Sequence, residues 1–259
     1  MAPLMLLTFV SASLFLFVEA NDPDGGDAGS EGECLTEINA AREAVGFSSF
    51  LKANVAEEGK HLPAAFDNKS EEDYHASAWK PVCEFLLPKT SDESEPVVVA
   101  TIDRFASGTY AFKALESETP RCSDIVEEWK TAYNNFNGLP PPYSEQEQAY
   151  SSQENVSFVA MHNPSSDATA DCRVVTCTRK TTTQQQNREK TGTTATEANG
   201  YALICMTTPD VLPVDGSKAP FTEGQWGQIV TAFEGSAPAV LPSLLSLTAA
   251  ALAVALSVL

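Results

Sequence analysis

The chain has 259 residues, and its 35 acidic against 16 basic side chains give a formal net charge of −19. A surface of this sign repels nucleic acid and anionic lipid headgroups, which excludes nucleic acid as a partner and favours cationic partners or contact through a local basic patch. The length between two apolar ends suits one domain, and no repeat of about 20 to 50 residues is present.

The N-terminus predicts secretion. An apolar run from Leu4 to Val18 is followed by Ala20, and small or apolar residues at these two positions suit signal peptidase. A run of about 15 residues is short for a membrane span. We therefore expect residues 1–20 to be a removed signal peptide. We expect residues 21–33, which are acidic and Gly-rich, to form a flexible leader.

The first half of the chain has mainly helical patterns. Residues 34–51 have apolar side chains at helical spacing, with Arg42 on the flank and Gly46 as a stop. A second short helix is possible at 74–78, where Pro81 interrupts it. The β-branched run 95–102 indicates a buried strand, although a helix is not distinguished from it at this length. A clearer helix begins at residue 123 or 124. It carries a core-facing stripe of four residues: Val126, Trp129, Tyr133 and Phe136.

The second half has mainly strand patterns. Three segments rich in β-branched or aromatic residues are bounded by turn signals and predict strands at 156–161, 173–178 and 201–207. Between the last two lies RKTTTQQQNREKTGTTATEANG, which is too polar to pack and predicts an exposed loop or a long hairpin tip. Helices early and strands late indicate a mixed α+β domain with helices covering a sheet.

The C-terminal helix pattern leads directly into an uncharged end. Thr222 and Gln225 form a capping-box pattern ahead of an apolar stripe. No charge follows from Gly235 to the end of the chain, whereas a working membrane span normally continues into Lys or Arg. Small residues, an uncharged spacer and an apolar tail are typical of a glycosylphosphatidylinositol (GPI) signal. We predict removal of residues 236–259 and lipid attachment at Gly235 or Ser236, with residues 34–235 as a single ectodomain.

The predicted secretion favours disulfides as the role of the cysteines. An even number in an oxidising compartment predicts three disulfides, and the absence of Cys-x-x-Cys pairs or nearby His ligands argues against a metal. Cys172 and Cys177 are five residues apart, so on one strand their side chains point to opposite faces. One of them can bridge to the strand bearing Cys205, and the other to a helix or loop on the far face. The six cysteines are Cys34, Cys83, Cys122, Cys172, Cys177 and Cys205.

The sequence has few patterns that are typical of catalytic, metal-binding or ligand-binding sites. No Gly-x-Ser-x-Gly, His-Glu-x-x-His or phosphate-binding loop occurs, so we expect no enzyme, cofactor or metal. His162 is interpreted as a solvated or capping residue. The sequons at Asn68 and Asn155 are candidates for N-glycans, and Asn68 is the better one because Asn155 adjoins a predicted strand. The basic cluster of the polar stretch is a candidate contact for sialylated or sulfated glycans, and it comprises Arg179, Lys180, Arg188 and Lys190.

Several segments together resemble a known family. NAAREAVGF, SDIVEEWKTAYNNFNGL, VSFVAMHNPSSDATADCRVVTC and YALICMTTPDVL, followed by PFTEGQW, are similar in this order to the Eimeria-type coccidian surface antigen (SAG) family of GPI-anchored proteins with six cysteines. The resemblance covers nearly the whole mature chain. It implies display on the extracellular face of the parasite plasma membrane, held by the lipid alone. It also implies attachment to a host receptor or glycan, or exposure to host antibodies.

A weaker resemblance links the chain to the CAP superfamily of cysteine-rich secretory, antigen 5 and pathogenesis-related proteins. It rests on NAAREAVG, VEEWKTAYNNF, the spacing of the late cysteine pair and YALICMTTP. It implies a three-layer α-β-α sandwich, and a small ligand, lipid or metal in a residual cleft near His162 as an alternative function. The superfamily's His-x-Thr-Gln motif is missing. The resemblance implies three disulfide pairs: Cys172 with Cys205, Cys83 with Cys177, and Cys34 with Cys122.

Overall fold

A computed structural model of the chain describes residues 17–20, 25–53, 59–63, 66–67, 77–88, 108–144, 148–187 and 190–235. Its α-helices are α1 (Leu35–Ala44), α2 (Lys80–Leu86), α3 (Cys122–Thr131), α4 (Gln153–Met161) and α5 (Glu223–Glu234), with 3-10 turns at Ala132–Asn135 and Gln148–Tyr150. Its strands are β1 (Phe17–Ala20), β2 (Gly25–Ala28), β3 (Leu51–Lys52), β4 (Phe66–Asp67), β5 (Thr109–Leu115), β6 (Thr169–Asn187) and β7 (Lys190–Thr208). Within these ranges, no helix has the length and apolar character needed to cross a membrane.

One sheet organises the domain. Its strand order is β4-β2-β6-β7-β5, and β1 and β3 pair with β6 beside this path. β6 and β7 form a hairpin with an unbroken antiparallel register, from Thr169 opposite Thr208 to Asn187 opposite Lys190. β5 pairs with β7 from Thr109 opposite Thr207 to Leu115 opposite Tyr201. The hairpin therefore extends well past the end of β5.

The core occupies both faces of the sheet, because side chains alternate along each strand. On one face, Cys172, Val174 and Leu203 pack with residues of α1, α3 and α4. On the other face, Val175 and Ile204 pack with residues of α2. Helices on both faces of a sheet make three layers, and the α+β prediction is confirmed.

Three disulfides brace these layers. Cys172 and Cys205 lie directly opposite each other on β6 and β7 and are bonded to each other. Cys177 packs on the opposite face, as its separation from Cys172 predicts, and is bonded to Cys83 of α2. Cys34 is bonded to Cys122 and so joins the starts of α1 and α3. These are the pairs implied by the resemblance to the CAP superfamily.

The leader, residues 21–33, is predicted to be flexible but contains regular structure. Part of it forms β2, which pairs antiparallel with β6. Gly29 and Gly32 then donate main-chain hydrogen bonds to Val174 and Cys172. Main-chain pairing needs no apolar side chains, so the composition of the leader does not report it. β1 lies inside the predicted signal peptide, and its removal stays a prediction.

Two predicted elements change type or role. The segment 156–161 is helical and belongs to α4, not to a strand, because all of its side chains are buried and a helix buried on every side has no periodic pattern. Pro81 lies in the first turn of α2 and so begins a helix instead of interrupting one, since that turn needs no N–H from proline. The predicted strand 95–102 lies outside the described residues.

The predicted C-terminal capping box is present. The Thr222 side chain accepts from the Gln225 amide, and the Gln225 side chain accepts from the Thr222 amide at 2.9 Å. Trp226 and Ile229 are buried together with Phe158 and Phe221 in the third cluster of the core. α5 therefore docks by its apolar stripe.

Candidate functional site

The predicted basic contact loop is the far end of the β6–β7 hairpin. Arg179 does not belong to a contact surface: it is 9% exposed. Its Nη1 donates to the Pro88 carbonyl at 3.1 Å and its Nη2 to the Leu87 carbonyl, so it binds the carbonyls at the C-terminal end of α2. A guanidinium bound in this way is withdrawn from solvent, and the prediction is wrong for this residue. Lys180 is exposed, while Arg188 and the Lys190 side chain lie outside the described residues.

We name residues 180–187 of β6 and 190–197 of β7 the hairpin arm. β5 and β2 stop pairing before it, β5 at Tyr201 and β2 at Thr178. Eight residues of strand span about 26 Å at roughly 3.3 Å each. Among the described residues, only β1 pairs with the arm from outside. The arm is therefore a projection of the sheet.

The end of α5 lies at the opposite end of the sheet. β5 begins at Thr109 and ends at Leu115, which is its end nearer the arm. α3 then runs back along it, because Glu128 binds Lys113 and Trp129 Nε1 donates to the Phe112 carbonyl at 3.3 Å.

Tyr133 follows α3, and its hydroxyl donates to Glu234 at 3.1 Å. The chain that leaves β7 stays at the same end, since the Val211 amide donates to Thr109 Oγ1 at 3.0 Å. Gly235 caps α5 there. The arm and the predicted lipid attachment point are thus separated by the length of the sheet.

The sequon at Asn155 is not available in the folded domain. Asn155 lies in α4 and is 5% exposed. Its Nδ2 donates to the Ala149 carbonyl at 2.7 Å, and its Oδ1 accepts from Asn135 at 2.7 Å. A glycan on Nδ2 would displace these contacts and enter the core, so this candidate is wrong. Asn68 lies outside the described residues and stays a prediction.

Arg42 is fully buried and does not lie on the flank of α1 as predicted. Its Nε donates to the Ser48 carbonyl at 2.9 Å, and its guanidinium carbon lies 3.6 Å from the centroid of the Phe50 ring. Its Nη1 donates to the carbonyls of Met161 and Asn163. Burial lowers the pKa of Arg42 to about 10, so the side chain stays charged at neutral pH.

His162 is also fully buried, so its interpretation as a solvated residue is wrong, while its position as the cap of α4 agrees with the capping alternative. Nδ1 lies 3.0 Å from the Phe158 carbonyl, which only accepts, so Nδ1 carries the proton. Burial lowers the pKa of His162 to about 3, and the nearby cations Arg42 and Lys130 lower it further. An enclosed imidazole close to two cations does not support the alternative metal or ligand site.

An open polar cleft of about 640 Å³ lies where β5 turns into α3. Four of its five charged side chains pair with each other, Lys113 with Glu128 and Arg121 with Asp124, and the fifth is Glu116. In the described part of the chain, the residues with metal-ligand spacing are Glu33, Cys34 and Cys122. The two cysteines form a disulfide and offer no thiolate.

These features define a class: an α+β domain braced by three disulfides, of the type made in oxidising compartments, with a projecting hairpin arm. Residues 30–248 match the sporozoite surface antigen (SAG) protein domain, and the chain belongs to this family. It is 25% identical over 272 residues to the sporulated oocyst TA4 antigen of Eimeria tenella, covering 96% of this chain and 97% of that antigen. No solved structure matches the chain, and the resemblance to the CAP superfamily is not shown.

Proposed function

We propose that the chain is a non-enzymatic surface antigen that a GPI lipid at Gly235 or Ser236 holds on the extracellular face of the parasite membrane. Membership of the surface antigen family supports the surface location. The observation that carries the proposal is the separation of the two ends of the sheet. A lipid attached next to the end of α5 leaves the hairpin arm pointing away from the membrane.

The arm is then the part of the domain that meets a host cell or a host antibody first. On a chain of net charge −19, the basic residues of the arm, together with Arg188 between its two strands, are a local reversal of sign. Long-range attraction to anionic sialylated or sulfated glycans favours such a reversal. We propose Lys180, Arg188 and Lys190 as the contact residues, without Arg179, because its guanidinium binds α2.

The anchor is tested by treating cells that express the full chain with phosphatidylinositol-specific phospholipase C. Release of the antigen is expected. A mature protein whose C-terminal peptide still contains Leu244 to Leu259 would instead make that segment a membrane span.

The contact is tested by binding of the released antigen to host cells. Charge reversal to Glu at Lys180, Arg188 and Lys190 should weaken binding and reduce its dependence on salt. The matched control reverses three other basic residues, Lys52, Arg121 and Lys218, which are exposed and lie off the arm. Equal loss in both triple variants would show a general effect of charge and reject the arm as the contact.

A further inference from the structure

The outer edge of β6 along the hairpin arm accepts a strand. β1 (Phe17–Ala20) pairs antiparallel with it, from Phe17 opposite Gln184 to Ala20 opposite Thr181. β1 belongs to the segment predicted to be removed as a signal peptide. Its removal leaves the main-chain groups of this edge without the strand that pairs them, within the part of the chain that the structure describes.

The two outer edges of the sheet differ in how their main-chain groups are covered. The edge of β5 is covered, because Ser157 Oγ accepts from the Phe112 amide at 3.0 Å and Gln153 Nε2 donates to the Tyr110 carbonyl at 3.2 Å. The arm edge reads TTTQQQ from Thr181 to Gln186. It has none of the charges or prolines with which natural edge strands prevent pairing, and threonine favours strands.

The register identifies the main-chain groups that face this edge. Gly29 and Gly32 lie outside β6, and they donate to the carbonyls of Val174 and Cys172, both at 2.9 Å. Main-chain groups of successive residues point to alternate sides of a strand, and the pairing with β7 is unbroken through Asn187. The N–H groups of Thr182 and Gln184 therefore face the open edge, while those of Thr181 and Thr183 face β7.

We propose that the mature chain pairs through this edge with the same edge of a second copy, antiparallel about a two-fold axis. In such a pairing the uncharged run opposes itself, so no like charges meet. The net charge of −19 opposes close contact between whole domains, but the arm joins two copies at a distance from their bodies. This inference rests on the proposed secretion, which removes β1. Because the two copies of β6 run in opposite directions, the two α5 ends lie at opposite ends of the pair.

The test uses the full-length chain, expressed through a secretory pathway. The mature protein is released by phospholipase, or extracted in mild detergent where the phospholipase fails. N-terminal sequencing determines whether Phe17–Ala20 is absent. Sedimentation velocity is measured over a series of concentrations up to the solubility limit of the protein. We expect a concentration-dependent dimer.

The decisive variant is Thr182→Pro, which removes an edge-facing N–H and leaves the hydrogen bonds to β7. Thr182→Val is the matched control, since it keeps the N–H and the preference for strands. Thr182→Pro should be monomeric with an unchanged circular dichroism spectrum, while Thr182→Val should dimerise like the wild type. If Thr182→Pro misfolds, Gln184→Pro removes the next edge-facing N–H.

A wild-type chain that lacks Phe17–Ala20 and stays monomeric at the highest concentration would overturn the proposal. This result is also expected if the edge pairs with a strand of a host protein and not with a second copy. Dimerisation of both proline variants would overturn it as well. Retention of Phe17–Ala20 would refute the open edge without affecting the surface-antigen function. Resistance to the phospholipase would reject the anchor without affecting the dimer.

Discussion

Arg42 binds the main-chain carbonyls on both sides of His162: its Nη1 lies 2.9 Å from the Met161 oxygen and 2.8 Å from the Asn163 oxygen. A charged guanidinium and a neutral imidazole therefore share one buried corner, where α1 meets the end of α4. The charge faces carbonyl dipoles and the Phe50 ring. The carbonyls and the ring stabilise the charge of Arg42. Protonation of His162 would add a second positive charge with no anion among its described neighbours.

The stability of the domain should consequently depend on His162 in acid. Its pKa is about 3 in the folded chain against an ordinary value near 6.5, so between these values the unfolded chain binds a proton that the folded chain does not. The free energy of unfolding should fall as pH drops below 6.5, by up to about 1.4 kcal/mol per pH unit from this group.

Urea unfolding of the wild type and of His162→Gln between pH 7 and pH 4 measures this dependence. Subtracting the two curves removes the contribution of the carboxylates, which both proteins share. Parallel curves would show that His162 does not cause the loss.

Arg42→Lys should destabilise the domain although it keeps the charge. One ammonium does not reproduce the planar fork that reaches Ser48, Met161 and Asn163, so buried carbonyls lose their donors. The expected loss is about 2 to 4 kcal/mol in the free energy of unfolding, measured with urea. Arg121→Lys is the control: the Arg121 side chain is 84% exposed, so a change within about 0.5 kcal/mol is expected. Equal effects of the two substitutions would contradict the buried role of Arg42.

Gly200→Ala should also be destabilising. A Cβ at this position would lie 2.8 Å from the Leu86 Cβ and 3.2 Å from the Leu86 carbonyl oxygen, at the end of α2. Overpacking of this kind costs roughly 1 to 3 kcal/mol. Gly227→Ala inside α5 meets nothing within 4 Å and should instead stabilise by about 0.5 to 1 kcal/mol. Thermal melts distinguish destabilisation from stabilisation. A Gly200→Ala variant as stable as the wild type would indicate that α2 lies farther from β7.

The disulfide pairs predict the result of a non-reducing digest. Three cross-linked peptides are expected, and mass spectrometry should join Cys172 to Cys205, Cys83 to Cys177 and Cys34 to Cys122. Detection of Cys172 joined to Cys177 would contradict both the pairing and the placement of these residues on opposite faces. Replacement of Cys83 and Cys177 by serine should lower the free energy of unfolding by about 2 to 5 kcal/mol, because α2 loses its link to β6.

The features that the sequence predicts correctly are local. The odd separation of Cys172 and Cys177 gives opposite faces, and the spacing of Thr222 and Gln225 gives a cap. Of the predicted stripe, Val126 and Trp129 lie in a helix that packs on the core, while Tyr133 and Phe136 lie after its end. Each follows from the geometry of one element, which a window of sequence contains.

The burial of the two arginines, which it predicts wrongly, depends on partners elsewhere in the chain. The carbonyls that bind Arg42 belong to residues 48, 161 and 163, and those that bind Arg179 belong to residues 87 and 88. Except for residue 48, these acceptors lie about 90 to 120 residues away along the chain, and main-chain carbonyls leave no pattern in the sequence. The same holds for the leader, since its pairing with β6 is made by main-chain atoms that every sequence has.

The absence of a disulfide to α5 affects how an anchored protein would respond to force. All three disulfides lie between Cys34 and Cys205, so no covalent cross-link holds Glu223–Glu234 to the rest of the domain. A pull at Gly235 acts first on this helix, and non-covalent contacts resist it, among them side-chain packing and the bond from Tyr133 to Glu234. Under tension from the membrane, α5 should peel from the aromatic cluster while the disulfide-braced sheet stays folded.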